Sequence, residues 1–147
     1  MINLTQHNTS SEQIEAGVID MPAREQELLK GMLTFHSPPL QRTIHNRAIR
    51  IAKLAEQSGH DKAMIGGAPF LMSALEYELR CVGVEPFYAF TKRVVEEKDG
   101  VKKSVFKHEG FTPAYRHPAM DKSIRENLEY RYEREADAKA FQEGDQP

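Results

Sequence analysis

Residues 63–75 read AMIGGAPFLMSAL, and this stretch decides the fold that we expect for the chain. The apolar residues Ala63 to Ile65 are followed by two glycines and then by Pro69, which favours the first turn of a helix. The apolar side chains after Pro69 recur at helical spacing. The stretch therefore predicts a buried strand, a tight turn at Gly66–Gly67 and a helix, which is the repeating step of an α/β domain.

The segments on either side continue this alternation of strands and helices. Ile2–Leu4 and Val18–Asp20 are short strand candidates, and residues 40–55 carry apolar side chains at spacings of three and four, as an amphipathic helix does. Residues 86–90 form an aromatic-rich strand candidate, and Lys98–Gly100 marks a hairpin turn. We therefore predict a small Rossmann-like α/β domain, with a mostly parallel sheet, helices on both faces and a C-terminal β-hairpin.

The composition of the chain changes after Gly110. The residues that follow are loop-like, and the segment from Met120 to Phe141 is highly charged with only a thin apolar stripe. We therefore expect two parts: an α/β domain over residues 1–112 and a charged helical extension over residues 113–147. The extension is expected to be a peripheral helix that docks on the domain or on a second subunit.

Composition excludes several classes of function. The formal net charge of the 147 residues is −2, without the basic excess that polyanion-binding proteins carry, so there is no strong nucleic-acid signal. The single cysteine, Cys81, rules out an internal disulfide and cysteine-cluster metal sites. We expect no metal, no cofactor and no membrane partner, because metal-ligand spacings, targeting segments and long apolar runs are not found. The expected location is the cytoplasm.

Three polar or glycine-rich segments are expected to follow the strands of the parallel sheet. Ligands bind outside the carboxyl ends of such strands, so the three segments should meet at one edge. The residues that we predict to bind a ligand there are Thr5, Gln6, His7, Asn8, Gly66, Gly67, Ala68, Thr91, Lys92 and Arg93.

The chemistry of these residues suits an anion. The two glycines let a ligand approach the backbone, and the helix after Pro69 directs its free N–H groups and positive dipole end to the same place. Lys92 and Arg93 could neutralise phosphate charge, with Arg93 able to make a bidentate contact. The turn is neither a Walker motif nor a three-glycine dinucleotide fingerprint.

Structural explanations of the same residues stay open. The two glycines suit a tight turn that only packs a helix on a sheet. As charged residues on an edge strand, Lys92 and Arg93 could serve only to prevent aggregation through that edge. His7 suits a polar loop, or it could be a general acid or base beside a phosphodiester. The sequence therefore leaves open whether the protein binds its ligand or also cleaves it.

Five pieces of the chain carry a family resemblance: INLTQH (2–7), EQIEAGVID (12–20), LTF (33–35), AMIGGAPFLMSALE (63–76) and EPFYAFTKR (85–93). They resemble a functionally uncharacterised family of small proteins from phages, prophages and bacteria, over residues 1–112. This resemblance implies a phage or prophage protein, of the kind involved in host defence, but it implies no activity.

The chain is also similar, more weakly, to CRISPR-associated Rossmann-fold (CARF) sensors and small ring-nuclease-like relatives. Those proteins are homodimers that bind cyclic oligoadenylates through a loop after the first strand and a glycine-containing turn. Thr5–Asn8 and Gly66–Gly67 match these two places. The sensor turn typically continues with a hydroxyl and a basic residue, whereas this chain has Ala68–Pro69, so phosphate contacts from the turn would come from the backbone alone.

Two functions follow as expectations. The first is the binding of a nucleotide or other phosphorylated small molecule, including a cyclic oligonucleotide signal, by a homodimer. If that protein is an enzyme, a phosphodiesterase or nuclease-like activity is expected, with His7 as the catalytic residue. The alternative is a phage or prophage accessory protein that binds a host protein without catalysis.

Overall fold

The computed structural model describes the backbone of residues 1–144 and the side chains of residues 1–133 and 135. The end of the predicted charged extension, residues 145–147, lies outside the described residues. Helices and strands follow one another in this order: β1 (Ile2–Leu4), α1 (Ser11–Glu15), α2 (Ala23–Leu33), α3 (Gln41–Gln57), β2 (Lys62–Ile65), α4 (Pro69–Cys81), β3 (Glu85–Lys98), β4 (Val101–Pro113) and α5 (Pro118–Gly144).

The sheet has the strand order β1-β2-β3-β4. Strands β1, β2 and β3 are parallel neighbours, and β4 is antiparallel to β3, so the sheet is mixed. The predicted strand at Val18–Asp20 is reduced to one bridge beside β1, in which the N–H of Asn3 donates to the carbonyl of Ile19 at 2.8 Å. The α/β class of the fold is confirmed, including the C-terminal hairpin.

The three middle helices lie on one face of the sheet. The strand order does not reverse, whereas a doubly wound Rossmann sheet reverses its direction and thereby carries helices on both faces. Ile2, Leu4, Ala63 and Ile65 alternate along their strands onto one face, and they share a single core cluster with α2, α3 and α4. The prediction of helices on both faces is therefore wrong for these three helices.

Local sequence explains where the helices begin and end. Ser10 and Gln13 form a capping box at α1. Helix α3 buries a stripe of small and apolar residues, and Ala48, Ala52 and Ala55 on this stripe leave room for neighbouring elements. Helix α4 begins at Pro69 after Ala68, which provides no side-chain cap.

The hairpin of β3 and β4 is much longer than the strands beside it. It turns at Asp99 and Gly100, whose φ angles of 55° and 74° are those of a type I′ turn. A register shift between Phe90 and Thr91 marks a bulge near its base. Strand β2 pairs with β3 only as far as Tyr88. We call residues 89–110 the hairpin arm.

The chain divides into two compact units, one from Met1 to Ala114 and the other from Tyr115 onward. In the second unit α5 is a single long helix. Arg116, just before the helix, pairs with Asp121 at 2.6 Å, and Lys122 pairs with Glu126 within the helix at 3.7 Å. Among the described residues, none of the helices has both the length and the apolar character that crossing a membrane requires.

Candidate functional site

A buried asparagine fixes the loop that follows β1. Asn3 is only 2% exposed, and its side-chain amide donates to the carbonyl of His7 and to Asp20, each at 2.7 Å. Its side-chain oxygen accepts from the N–H and the hydroxyl of Thr5 at 2.9 and 2.8 Å. Asp20 in turn accepts from the hydroxyl of Thr9 at 3.1 Å. Because a buried polar group needs partners, this network holds the loop in one conformation.

The turn after β2 brings the backbone close to this loop. A Cβ atom at Gly66 would lie 3.5 Å from the Cγ2 of Thr5. Gly67 has a φ of +155° and a Cβ there would lie 3.4 Å from the Cε of Met72, so this position favours glycine. Pro69 has no N–H, and the N–H of Phe70 has no acceptor within its own helix by geometry. The turn therefore offers main-chain donors and no side-chain donor.

These two segments form the walls of a cleft of about 370 Å³ at the carboxyl ends of the parallel strands. We call it the polar cleft. The residues that line it are Thr5, Gln6, His7, Asn8, Gln13, Met64, Ile65, Gly66, Gly67, Tyr88 and Ala89. Its volume lies in the range of small-molecule sites, about 300–1,000 Å³.

A second cleft of about 770 Å³, which we call the aromatic cleft, shares Gln6 and Gly67 with the polar cleft. Phe35 and Phe70 meet there edge to face, with ring centroids 4.9 Å apart. The guanidinium of Arg47 lies 4.3 Å from the Phe35 centroid. The residues that line this cleft are Gln6, Leu33, Thr34, Phe35, His36, Ser37, Pro38, Pro39, Gly67, Ala68 and Phe70.

Hydrogen bonds hold the end of α2 and the residues that follow it, which form one wall of the aromatic cleft. Arg47 donates to the carbonyls of Met32 and Thr34, at 3.0 and 2.6 Å, and so caps the end of α2. Gln6 donates to the hydroxyl of Thr34 at 3.0 Å, which ties the two clefts together at their junction. These bonds hold in place the segment that carries Phe35.

The region that carries both clefts is the region that matches a known family. The sequence model described as "Uncharacterized protein MJ1673 family" matches residues 1–112. The chain belongs to this MJ1673 family. No curated protein and no solved structure matches it significantly. The predicted membership of an uncharacterised family is confirmed, while the phage origin and the CARF similarity stay predictions.

In this MJ1673-family protein, the structure brings together two of the three predicted segments. The residues that line the clefts are Thr5, Gln6, His7, Asn8, Gly66, Gly67 and Ala68. Thr91, Lys92 and Arg93 line neither cleft. The expectation that β3 ends before them is wrong, because β3 continues to Lys98 and carries them out along the hairpin arm, where Arg93 donates to Ser104.

The electrostatics of the polar cleft follow from this placement. No Lys or Arg is among the described residues that line either cleft, so an anion would be bound by main-chain N–H groups, amides and imidazole. Tyr88 donates to Glu76 at 2.5 Å. Burial, followed by this hydrogen bond, raises the pKa of Tyr88 above its usual range, so its hydroxyl stays neutral at the cleft wall.

The MJ1673-family protein brings no three His, Cys, Asp or Glu side chains together as metal ligands in the part that the structure describes. Asn3, Phe35 and Phe70 are among the site residues that we did not predict from the sequence. A polar residue in the middle of the apolar strand Ile2–Leu4 was a usable signal for Asn3. The Ser37–Pro39 break after Phe35 was a weaker signal for a loop that lines a cleft.

Proposed function

We propose that this protein binds a nucleotide or a related phosphorylated small molecule across the two clefts. The observation that carries the proposal is that the polar cleft and the aromatic cleft meet at Gln6 and Gly67, beyond the carboxyl ends of parallel strands. This is the edge where open α/β sheets bind their ligands. A ligand with an anionic end and a flat ring matches the two surfaces.

The anionic end belongs in the polar cleft. The turn at Gly66–Ala68 has no bulky side chain, and the first turn of α4 contributes the main-chain N–H of Phe70 together with the positive end of the helix dipole. The N–H groups of Leu71 and Met72 already donate to the carbonyl of Ala68. Gln6 and Asn8 add amide donors from the opposite wall. The Asn3 network holds this wall before a ligand arrives, which lowers the entropy cost of binding.

The ring belongs in the aromatic cleft. Phe70 is 49% exposed, unusually open for a phenylalanine beside a core, and it stands against Phe35. A nucleobase stacks favourably on such rings, by about 1–3 kcal/mol per base. Pro38 and Pro39 add rigid apolar surface to the same cleft. These contacts favour a nucleotide over a phosphorylated sugar.

The same geometry supports two extensions of the proposal. A cyclic oligonucleotide has both a phosphodiester and bases, and a homodimer in the cytoplasm would present two such sites. If the ligand is cleaved, His7 is the residue that we propose as general acid or base, because it lines the polar cleft next to the glycine turn. In that case, replacing His7 by alanine should remove cleavage, whereas the main-chain and amide donors of the polar cleft should still bind the ligand.

Calorimetric titration tests the proposal with inorganic phosphate, ribose 5-phosphate, AMP and a cyclic oligoadenylate. Phe70→Ala should weaken AMP binding about tenfold through lost stacking, and it should leave ribose 5-phosphate unchanged. Phe106→Ala is the matched control, because Phe106 is an exposed phenylalanine on the hairpin arm that lines neither cleft. The absence of binding throughout the panel would refute the proposal.

One observation favours the alternative, an accessory protein of phage type that binds a host protein. The second unit carries three tyrosines that are largely exposed, Tyr115, Tyr130 and Tyr132. Exposed tyrosines are enriched at protein interfaces. Capture of the same host protein by the full chain and by a triple tyrosine-to-serine variant would count against this alternative.

A further inference from the structure

The hairpin arm has two free edges. Strand β2 pairs with β3 only up to the pair Ile65–Tyr88, while β3 continues to Lys98. In the described part of the chain, no strand lies beside β3 after Tyr88, and none lies beside the other edge of β4. A two-stranded ribbon with both edges in water is marginally stable on its own. The arm therefore needs a further contact.

Apolar side chains on the arm point to association. Phe106 is 74% exposed, Val95 is 68% exposed and Phe90 is 60% exposed. We propose that the free edge of β3 pairs, in antiparallel orientation, with the same edge of a second copy of this chain. A two-fold axis perpendicular to the ribbon would make one four-stranded ribbon from two arms, with the free edge of β3 meeting its own copy.

The hydrogen-bonding pattern of the hairpin suits this pairing. A type I′ turn closes on a hydrogen-bonded pair, here Lys98 and Val101. Even-numbered residues of β3 past the bulge then bond to β4, because the pattern alternates along the strand. The N–H and C=O groups of odd-numbered residues, such as Arg93 and Val95, point to the free edge. They are available to pair with a second strand.

The charges on β3 select one register. If the free segment Phe90–Lys98 overlaps fully with its copy, Val94 lies opposite the partner's Val94 and Lys92 lies opposite the partner's Glu96. The opposite-charge pair occurs twice because of the symmetry. Within its own hairpin Lys92 lies opposite another lysine, Lys107, so the partner's carboxylate would relieve a like-charge pair.

The neighbouring registers are disfavoured by charge. A shift in one direction places Arg93 opposite the partner's Arg93. A shift in the other direction places Lys92 opposite the partner's Lys98, and this repulsion offsets the attraction between Arg93 and the partner's Glu97, so neither shift equals the register centred on Val94. Pairing through β4 brings lysines together as well: with Val105 at the centre, Lys103 lies opposite the partner's Lys107. Lysines on an edge strand oppose such pairing. The edge of β3 is therefore the edge that fits a second copy.

Charge exchange tests the pairing. Sedimentation of the full chain over a dilution series should give the mass of two chains. Lys92→Glu and Glu96→Lys should each raise the dissociation constant about tenfold, because each creates two like-charge pairs across the interface. The double variant Lys92→Glu/Glu96→Lys should restore the dimer. Lys53→Glu is the control: it makes the same charge change at an exposed lysine on α3, away from the arm, and the mass should not change.

A cysteine at the symmetry axis gives an independent readout that needs no change of charge. Val94→Cys should form a disulfide-linked dimer under mild oxidation, since the two residues lie directly opposite each other, while the native Cys81 is buried. Val101→Cys on β4 should give no such product. A monomer at all concentrations, a failed rescue by the double variant, or cross-linking through Val101→Cys instead would each overturn the proposal.

Discussion

The side-chain amide of Asn3 donates a hydrogen bond to the main-chain carbonyl of His7 at 2.7 Å, so a buried strand residue holds a residue of the polar cleft. Asn3→Ala removes this bond and three others. We expect the free energy of unfolding to fall by about 2–3 kcal/mol, because Thr5 and Asp20 lose buried partners. Urea denaturation measures this change.

The matched control for Asn3 is Asn46→Ala, because Asn46 is exposed on α3. Its free energy of unfolding should change by less than about 0.5 kcal/mol. Equal effects of the two substitutions would show that the network around Asn3 does not stabilise the fold.

The two glycines of the β2–α4 turn should respond differently to alanine. Gly67→Ala forces a side chain into a φ of +155° and against Met72, so the free energy of unfolding should fall by about 1–3 kcal/mol. Gly66→Ala meets only an ordinary contact with Thr5, and stability should change by less than about 0.5 kcal/mol. Thermal unfolding compares the two variants. A larger loss for Gly66→Ala would contradict this description of the turn.

Tyr88 should make stability depend on alkaline pH. Its pKa is raised in the fold, chiefly by burial and then by the bond to Glu76, so the folded state keeps the proton after the unfolded state has lost it. Stability is therefore fully present below the ordinary tyrosine pKa of about 10 and is lost as the pH rises above it.

The measurement is a series of urea denaturations at increasing alkaline pH. In Tyr88→Phe the decline of stability above about pH 10 should be shallower than in the parent protein. Tyr115→Phe is the control, because Tyr115 is exposed and its removal should leave the decline unchanged. Identical declines in all three proteins would contradict the raised pKa of Tyr88.

Substitution of a predicted residue should lower ligand affinity if that residue lines a cleft and should leave affinity unchanged if it does not. Gln6→Ala removes a donor at the junction of the clefts and its bond to Thr34, so nucleotide affinity should fall about fivefold to tenfold. Lys92→Ala and Arg93→Ala should leave affinity unchanged because both residues lie on the hairpin arm. Calorimetric titration with AMP tests all three. A loss of AMP affinity in the two arm variants alone would show that the ligand binds at the hairpin arm and not in the clefts.

The fold could be predicted where the signal is local. Turns and helix starts are marked in the sequence by Gly66–Gly67, Pro69 and Asp99–Gly100. The strands and helices that we predicted around these residues are present. The length of β3 was not predictable in this way. Thr91–Arg93 is polar enough to read as a loop, and it is a strand only because β4 pairs with it. The single helical face was also missed, since it depends on the strand order.

Of the two clefts, only the polar cleft was predictable from the sequence. Thr5–Asn8 and Gly66–Ala68 follow strand candidates, so their meeting at one edge follows from parallel pairing. The aromatic cleft depends on Phe35 and Phe70, which meet because the loop after α2 returns to the start of α4. No local pattern relates these two rings. Arg47, which holds that loop to the end of α2, would have been read from the sequence as a solvated charge.

The turn between β2 and α4 has a consequence for how this protein can evolve. Gly66, Gly67 and Ala68 present main chain to the cleft, so this turn has no side-chain donor to exchange for one of different chemistry. Under the proposed function, ligand preference can change only through the surrounding residues, such as Gln6 and Phe70. Among descendants of this sequence, a switch of specificity would appear as substitutions there beside an unchanged pair of glycines.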